Sequence, residues 1–178
     1  GFVTHDKKDS TGLCFIGERK FKPFLADFLN AKPGLIKTPE GETLGEHDGI
    51  MFYTLGQRQG LKIGGQKQKL LLPWYVVAKD TKSNTLYAVQ GSEHPWHFCT
   101  ELQAHELNWI AGSPPNTHFE CQAKTRYRQA DELCEVFVHE NNTLTVRFKN
   151  PQHAVTPGQS LVLYNKDVML GGGLITST

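Results

Sequence analysis

The sequence lacks the long apolar runs and the excess of one charge that would tie it to a membrane or to a polyanion. Its longest uncharged apolar stretch, Leu70 to Ala78, has nine residues and includes Pro73, whereas a membrane-spanning helix needs about 20. Lys and Arg number 19 against 18 Asp and Glu, which leaves a net charge of +1. No membrane partner is therefore predicted, and any contact with a nucleic acid must depend on a local patch.

The chain also lacks the spacings that bind metals or mark redox motifs. Its four cysteines, at positions 14, 99, 121 and 134, form no close pair, which argues against a zinc knuckle and against a CxxC motif. The eight histidines are scattered without an HxxxH pair, so no metal site is predicted. So few cysteines in a chain of this length favour a reducing, cytoplasmic location over secretion.

The composition is typical of a globular protein. Its 178 residues are 38% hydrophobic, enough for one large or two small domains that bury about 70% of the extended surface. Disorder throughout is excluded. The sequence begins with Gly1, shows no signal-peptide pattern and enters at once on the motif-like stretch 5–18, so we expect the C-terminal piece of a longer protein.

Periodicity predicts one short helix followed by β structure. Large apolar residues from Phe21 to Leu29 recur at helical spacing, which predicts a helix over residues 20–30. Between Lys32 and Gly65 glycine is dense, which favours short strands and tight turns with positive φ. The β-rich runs 74–79 and 85–89 flank a polar turn and predict a hairpin. Residues 91–98 read as a linker into a second unit.

Beyond the linker the pattern is entirely β, with no helical period. About six short runs with nothing to cover a second face predict a small closed barrel, because closure removes unpaired strand edges. The fold class is therefore mainly β, with a small central β-rich domain and a C-terminal closed barrel. The predicted barrel strands are 102–109, 118–126, 132–139, 143–148, 160–164 and 167–175.

Cys14, in DSTGLCFIG, is the candidate nucleophile. Cations at positions 7, 8, 19 and 20 flank it, and both cations and a following helix N-terminus favour the nucleophilic thiolate. The alternative is a small buried apolar residue between Leu13 and Phe15. The other three cysteines lie in or beside strand-like runs, and packing roles are predicted for them.

A basic stretch, KTRYRQ at 124–129, is the candidate RNA contact. As a strand it would place Lys124, Arg126 and Arg128 on one face and Tyr127 on the other. Cations suit phosphates, and a ring suits an unstacked base. A merely solvated strand face is the alternative. Arg147 and Lys149 are candidates to extend the patch.

Two glycine-containing motifs carry no nucleotide-binding signal. TPGQS at 156–160 reads as an ordinary Pro-Gly turn, and GGG at 171–173 lacks the Gly-Lys-Ser/Thr sequence that would follow in a phosphate loop.

Several of these stretches, in this order, closely resemble the C-terminal half of the bacterial-type tRNA-specific 2-thiouridylase family. They run from position 9 to position 175 of the chain. The stretches are DSTGLCFIGERKF, GEHDGIMFYTLGQRQGLKIGG, PWYVVAKD, QGSEHP, KTRYRQ, AVTPGQS and LGGGLI.

The resemblance implies an ATP-dependent enzyme that places sulfur on C2 of the wobble uridine of tRNA. Cys14 matches the family's second cysteine, which carries the incoming sulfur as a persulfide and forms a disulfide with a first cysteine by thiol–disulfide exchange. Arg126, Tyr127 and Gln159 match its tRNA-contact positions. The implied partners are tRNA and a sulfur-relay donor protein. The implied units are 1–22, the end of the catalytic domain; 23–95, the central domain; and 96–178, the tRNA-binding barrel.

The chain departs from the family pattern in one large respect. It contains no SGG-type ATP loop and no first cysteine, so no ATP-binding residue and no cofactor are predicted within it. ATP and a persulfide donor would serve the full-length enzyme, and these residues alone would be inactive. Two other readings stay open: a stand-alone RNA-binding barrel with an inert Cys14, and a general thiol oxidoreductase, which the lack of CxxC disfavours.

Overall fold

Ten strands make up two separate sheets in the described part of the protein. The computed structural model describes residues 28–63, 72–126 and 129–178. Short 3₁₀ helices cover Ile50–Phe52 and Pro95–His97. The strands are β1 Gly34–Lys37, β2 Thr43–His47, β3 Trp74–Asp80, β4 Thr85–Gln90, β5 Phe98–Trp109, β6 His118–Lys124, β7 Glu132–His139, β8 Thr143–His153, β9 Ser160–Asn165 and β10 Val168–Ser177.

The first four strands form a sheet in the order β2-β1-β4-β3. The predicted hairpin is confirmed, since β3 and β4 pair antiparallel. In its turn the Asp80 carboxylate accepts hydrogen bonds from the Ser83 hydroxyl at 2.6 Å and the Lys82 amide at 2.9 Å. β1 and β4 pair in parallel. The sheet packs around Ile36, Leu86 and Tyr53, all buried. The expected positive φ values occur at Gly41, Gly49, Gly56 and Gly60.

The other six strands form the closed barrel that the sequence predicts. Its order is β10-β5-β8-β7-β6-β9, and β9 pairs with β10 to complete the ring. Alternation along β8 shows how the sequence specifies this: Leu144, Val146 and Phe148 are buried in the core, while Arg147 and Lys149 between and beyond them are exposed. Along this strand the barrel therefore has an apolar interior and a charged outer face.

The glycine run at 171–173 lies in the wall of the barrel. Gly172 is paired with Asn108 of β5 and Val162 of β9. A Cβ atom built on Gly172 would come within 2.0 Å of the backbone oxygen of Leu161. The run thus allows strands to approach closely, and it is built into a β ladder instead of forming a phosphate-binding loop.

The predicted helix over 20–30 lies outside the described residues, apart from Phe28 to Asn30, which contain a turn. The central sheet ends at Gln90 and the barrel begins at Phe98. The boundaries between folding units predicted at 22/23 and 95/96 stay predictions.

A packed joint, residues 91–97, connects the sheet to the barrel. His97 is 3% exposed, and its ring stacks on His153 with centroids 5.1 Å apart and meets Tyr75 edge-on. The Nε2 atom of His97 is 3.1 Å from the Gly91 oxygen. The His97 carbonyl accepts a hydrogen bond from the Ala154 amide at 2.6 Å. The predicted linker is therefore ordered by contacts with both sheets.

The buried His97 should make stability depend on pH. Its pKa lies below the ordinary 6.5, mainly because burial disfavours the charged ring and because His153 adds repulsion. The unfolded chain then takes up a proton first as pH falls below 6.5, so stability should drop as pH falls through the folded-state pKa. Urea midpoints measured between about pH 7.5 and pH 5.5 should fall less for H97N than for wild type. Equal falls in both proteins would contradict this origin.

Candidate nucleic-acid interface

β6 is shorter than the strand predicted over 118–126, so the prediction that Lys124 and Arg126 lie on one strand face is wrong. β6 ends at Lys124, where its pairing with β9 also ends, and Thr125 and Arg126 lie in a bend. The amide of Gln129 donates to the Arg126 carbonyl at 3.2 Å, which turns the chain back toward β7. Lys124 and Arg126 therefore do not share a strand face. Tyr127 and Arg128 lie outside the described residues.

Lys124 is partly neutralised within the protein. Its Nζ atom lies 2.9 Å from Asp131 and 5.5 Å from the centre of the Tyr164 ring. A cation held in this way has less to offer a phosphate than the sequence pattern alone indicated.

Arg126 is exposed and fixed at the loop that follows β8. Its Nη2 atom donates to the Ala154 carbonyl at 2.6 Å, which takes one of the five guanidinium donors. Ala154 itself has φ 49° and is buried. The head group is thus positioned by a neutral backbone carbonyl, and no carboxylate among the described residues pairs with it.

Gln159 closes a turn next to the same loop. Its amide donates to the Thr156 carbonyl at 3.2 Å, and Gly158 has φ 85°, as expected for the third residue of a type II Pro-Gly turn. Two hydrogen bonds fix the turn to Ile175 of β10. The predicted turn is confirmed, and it presents Gln159 at the surface.

Arg126 and Gln159 are connected through shared partners. The Thr156 hydroxyl donates to the Ala154 carbonyl at 3.1 Å, and the same oxygen accepts from Arg126. Two of the three predicted contact positions, 33 residues apart in sequence, are therefore held by one network at one end of the barrel.

Two glutamines that the sequence analysis missed support this arrangement. The Gln129 Oε1 atom accepts from the Thr125 hydroxyl at 2.7 Å, and its amide nitrogen donates to Gln152, which is buried. Gln152 in turn donates to the Asn150 carbonyl. No local pattern could reveal the pair, because the two side chains are 23 residues apart.

Arg147 does not extend a basic patch. Its Nε atom donates to Glu101 at 2.7 Å, and Glu135 lies opposite it on β7. Glu120 continues this row on β6. This face of the barrel has more carboxylates than cations along the row, so phosphate binding is not expected there.

The cysteines divide as predicted where the structure describes them. Cys121 and Cys134 are buried opposite each other with sulfurs 3.8 Å apart, and Cys99 packs against the same core. All three are free thiols. Burial raises the pKa of Cys99, and the hydrogen bond to Cys121 together with burial raises that of Cys134. Their packing roles are confirmed. Cys14 lies outside the described residues.

The described ranges contain neither a metal-binding cluster nor a membrane-spanning helix. Among those residues no three His, Cys, Asp or Glu side chains are grouped closely enough to hold a metal ion. No helix within the same ranges has the length and apolar character needed to cross a bilayer.

Two family models match the chain, one over the region of the first sheet and one over the region of the barrel. The model of the "tRNA methyl transferase PRC-barrel domain" matches residues 22–90, and that of the "Aminomethyltransferase beta-barrel domain" matches residues 99–175. The relatives named "tRNA-specific 2-thiouridylase MnmA" include those of Chromohalobacter salexigens, 57% identical over all 178 residues, and Marinobacter nauticus, 56% identical over the same length. The Francisella tularensis subsp. novicida protein is 56% identical over 173 residues, 97% of the chain. The chain covers 46%, 45% and 48% of these relatives respectively, about half of their length.

Proposed function

Because the chain belongs to the tRNA-specific 2-thiouridylase family and matches its C-terminal half, we propose that it is the part of a tRNA sulfurtransferase that holds the tRNA and carries the transferred sulfur. The full-length protein would place sulfur on C2 of the wobble uridine. It would act in the cytoplasm, where a reducing environment keeps thiols free.

The observation that carries the tRNA-binding part is the network at the end of the barrel. The Arg126 guanidinium is held by the neutral Ala154 carbonyl, and Gln159 is fixed nearby through Thr156. A guanidinium with free donors suits a phosphate, and an exposed amide suits a sugar or base edge. Tyr127 lies between Arg126 and Arg128 in sequence and remains the proposed stacking residue.

Sulfur transfer is assigned to Cys14. A donor protein's persulfide would give its outer sulfur to the Cys14 thiolate, and the donor would leave as a thiol. The outer sulfur of the new persulfide would attack C2 of the adenylated uridine, and the original C2 oxygen would leave with AMP. A first cysteine elsewhere in the protein would attack the Cys14 sulfur, which breaks the sulfur–sulfur bond, leaves the outer sulfur on the base and forms a disulfide with Cys14. The loop's flanking cations at 7, 8, 19 and 20 support a thiolate at Cys14.

Activation of the uridine by ATP is assigned to the rest of the full-length protein. The glycine run of the described residues does not fit ATP phosphates, because neighbouring backbone occupies the space beside Gly172. We therefore expect this chain to bind tRNA without thiolating it.

The test of tRNA binding is R126Q measured at several salt concentrations. The wild-type chain should bind tRNA with an affinity that falls as salt rises. Loss of one charged phosphate contact should weaken binding roughly tenfold at low salt and reduce the salt slope by about 0.7–0.9. Filter binding or fluorescence anisotropy gives both quantities.

The matched control is R147Q, since Arg147 is an exposed barrel arginine already paired with Glu101. It should bind tRNA within about twofold of wild type. If R126Q behaves like R147Q, Arg126 is not a contact. If the wild-type chain does not bind tRNA even at low salt, the proposed function of these residues is wrong.

A further inference from the structure

The loop 54–60 of the central region is held rigidly against β3. The Gln57 amide donates to the Thr54 carbonyl, and the Gly56 amide donates to Val76 at 2.7 Å, while the Val76 amide donates back to Gln57 at 3.0 Å. The Gln57 side chain adds hydrogen bonds to the Thr54 amide and the Gln59 carbonyl. A residue on this loop, such as Arg58, therefore has a fixed backbone position.

The same loop contacts the barrel at the network around Arg126. A Cβ atom built on Gly56 would lie 3.2 Å from the Ala154 side chain and 4.0 Å from the Nη2 atom of Arg126. Arg58 follows two residues later, so its Cα is at most about 7 Å from that of Gly56. Arg58 and Arg126 are both exposed. The backbones of two exposed arginines, one on a loop of the central region and one in the bend after β6 of the barrel, thus lie near one stretch of surface.

Neither Arg58 nor Arg126 pairs with an acidic side chain among the residues that the structure describes. Three other cations do form such pairs. Lys62 pairs with Asp48 at 3.1 Å, and the ion pairs of Lys124 and Arg147 are given above. The sequence from position 49 to position 63 contains no carboxylate at all. In a chain of net charge +1, two exposed arginines on adjoining loops, neither paired with a described carboxylate, form a local cationic patch, which an anion bridging them would stabilise.

We propose that Arg58 and Arg126 bind phosphates of the same tRNA, so that the interface runs from the barrel across the joint onto the central sheet. This inference rests on the proposed function, because the ligand is the tRNA assigned there. An RNA backbone supplies negative charges in a row, which suits the Arg126 guanidinium together with an arginine on a loop whose backbone is fixed. Gln57 would act only by positioning Arg58.

The experiment compares tRNA binding by the 178-residue chain and its variants at several salt concentrations. R58Q should weaken binding roughly tenfold at low salt and reduce the salt slope by about 0.7–0.9, while R58K should keep the slope. The control K62Q removes a charge four residues further along the chain, but one that Asp48 already neutralises, so it should stay within about twofold of wild type. The double variant R58Q/R126Q should lose about twice the slope of either single variant.

The possible failures are distinguishable. If R126Q weakens binding but R58Q does not, this inference is overturned and the proposed function stands. Equal effects of R58Q and K62Q would show a diffuse field instead of a contact at Arg58, and would also overturn it. If wild type does not bind tRNA, both fail. Circular dichroism of each variant should match wild type, since Arg58 is exposed.

Discussion

Replacing Cys14 by serine in the full-length protein should abolish tRNA thiolation and leave tRNA binding largely intact. A serine hydroxyl cannot hold a transferable sulfane sulfur, so turnover should fall by at least about 10³-fold. The proposed tRNA contacts are the residues at positions 58, 126, 127 and 159, which this replacement leaves unchanged, so affinity should stay within about twofold. The measurements are 2-thiouridine formation by nucleoside chromatography and tRNA affinity by filter binding.

The matched control is C99S. Cys99 packs against the barrel core and burial raises its pKa, so it is a poor thiolate. Its replacement should leave turnover near that of wild type. If the C14S protein retains near-normal turnover, the sulfur-carrier role is wrong and the alternative of an RNA-binding barrel with an inert cysteine gains support.

The barrel was predictable because the alternation of apolar and polar residues along a strand indicates which side chains are buried. In β8 the alternation from Leu144 to Lys149 identifies both the strand and its buried face. Closure followed from the absence of any helical pattern that could cover a second sheet face. The hairpin of β3 and β4 was predictable for a similar local reason, since Asp80 and Ser83 form the turn through their own side chains.

The site was less predictable because its contacts are between residues distant in sequence. The stretch 124–129 has the composition of a strand, but β6 makes its last pair with β7 at Ala123 and its last pair with β9 at Lys124, and the chain then bends. Arg126 then takes its position from Ala154, 28 residues away. The parallel pairing of β1 with β4 was missed for the same reason, since no local pattern specifies which strands become neighbours.

The close approach of strands at the glycine run predicts a large loss of stability for G172A. The added methyl would meet the Leu161 carbonyl at 2.0 Å and backbone carbon atoms of Leu161 and Val162 at 3.0 and 3.2 Å. These are backbone atoms of β9, so the clash can be relieved only by separating β9 from β10. The pairing of these two strands closes the barrel. Overpacking of this kind should cost about 3 kcal/mol or more. Thermal unfolding should show a midpoint lowered by about 10 °C.

The control for this prediction is G45A in β2. A Cβ atom there meets nothing within 4 Å, and Gly45 does not have positive φ. Its replacement should change stability by less than about 1 kcal/mol, with a slight gain because the unfolded chain loses freedom. Equal midpoints for G172A and G45A would mean that the β9–β10 contact is not tight. A lower midpoint for G172A alone would show that the glycine run is needed for barrel closure. The tRNA affinity of G172A should then fall only at temperatures where the barrel unfolds, because Arg126 and Gln159 take their positions from loops and strands of this barrel.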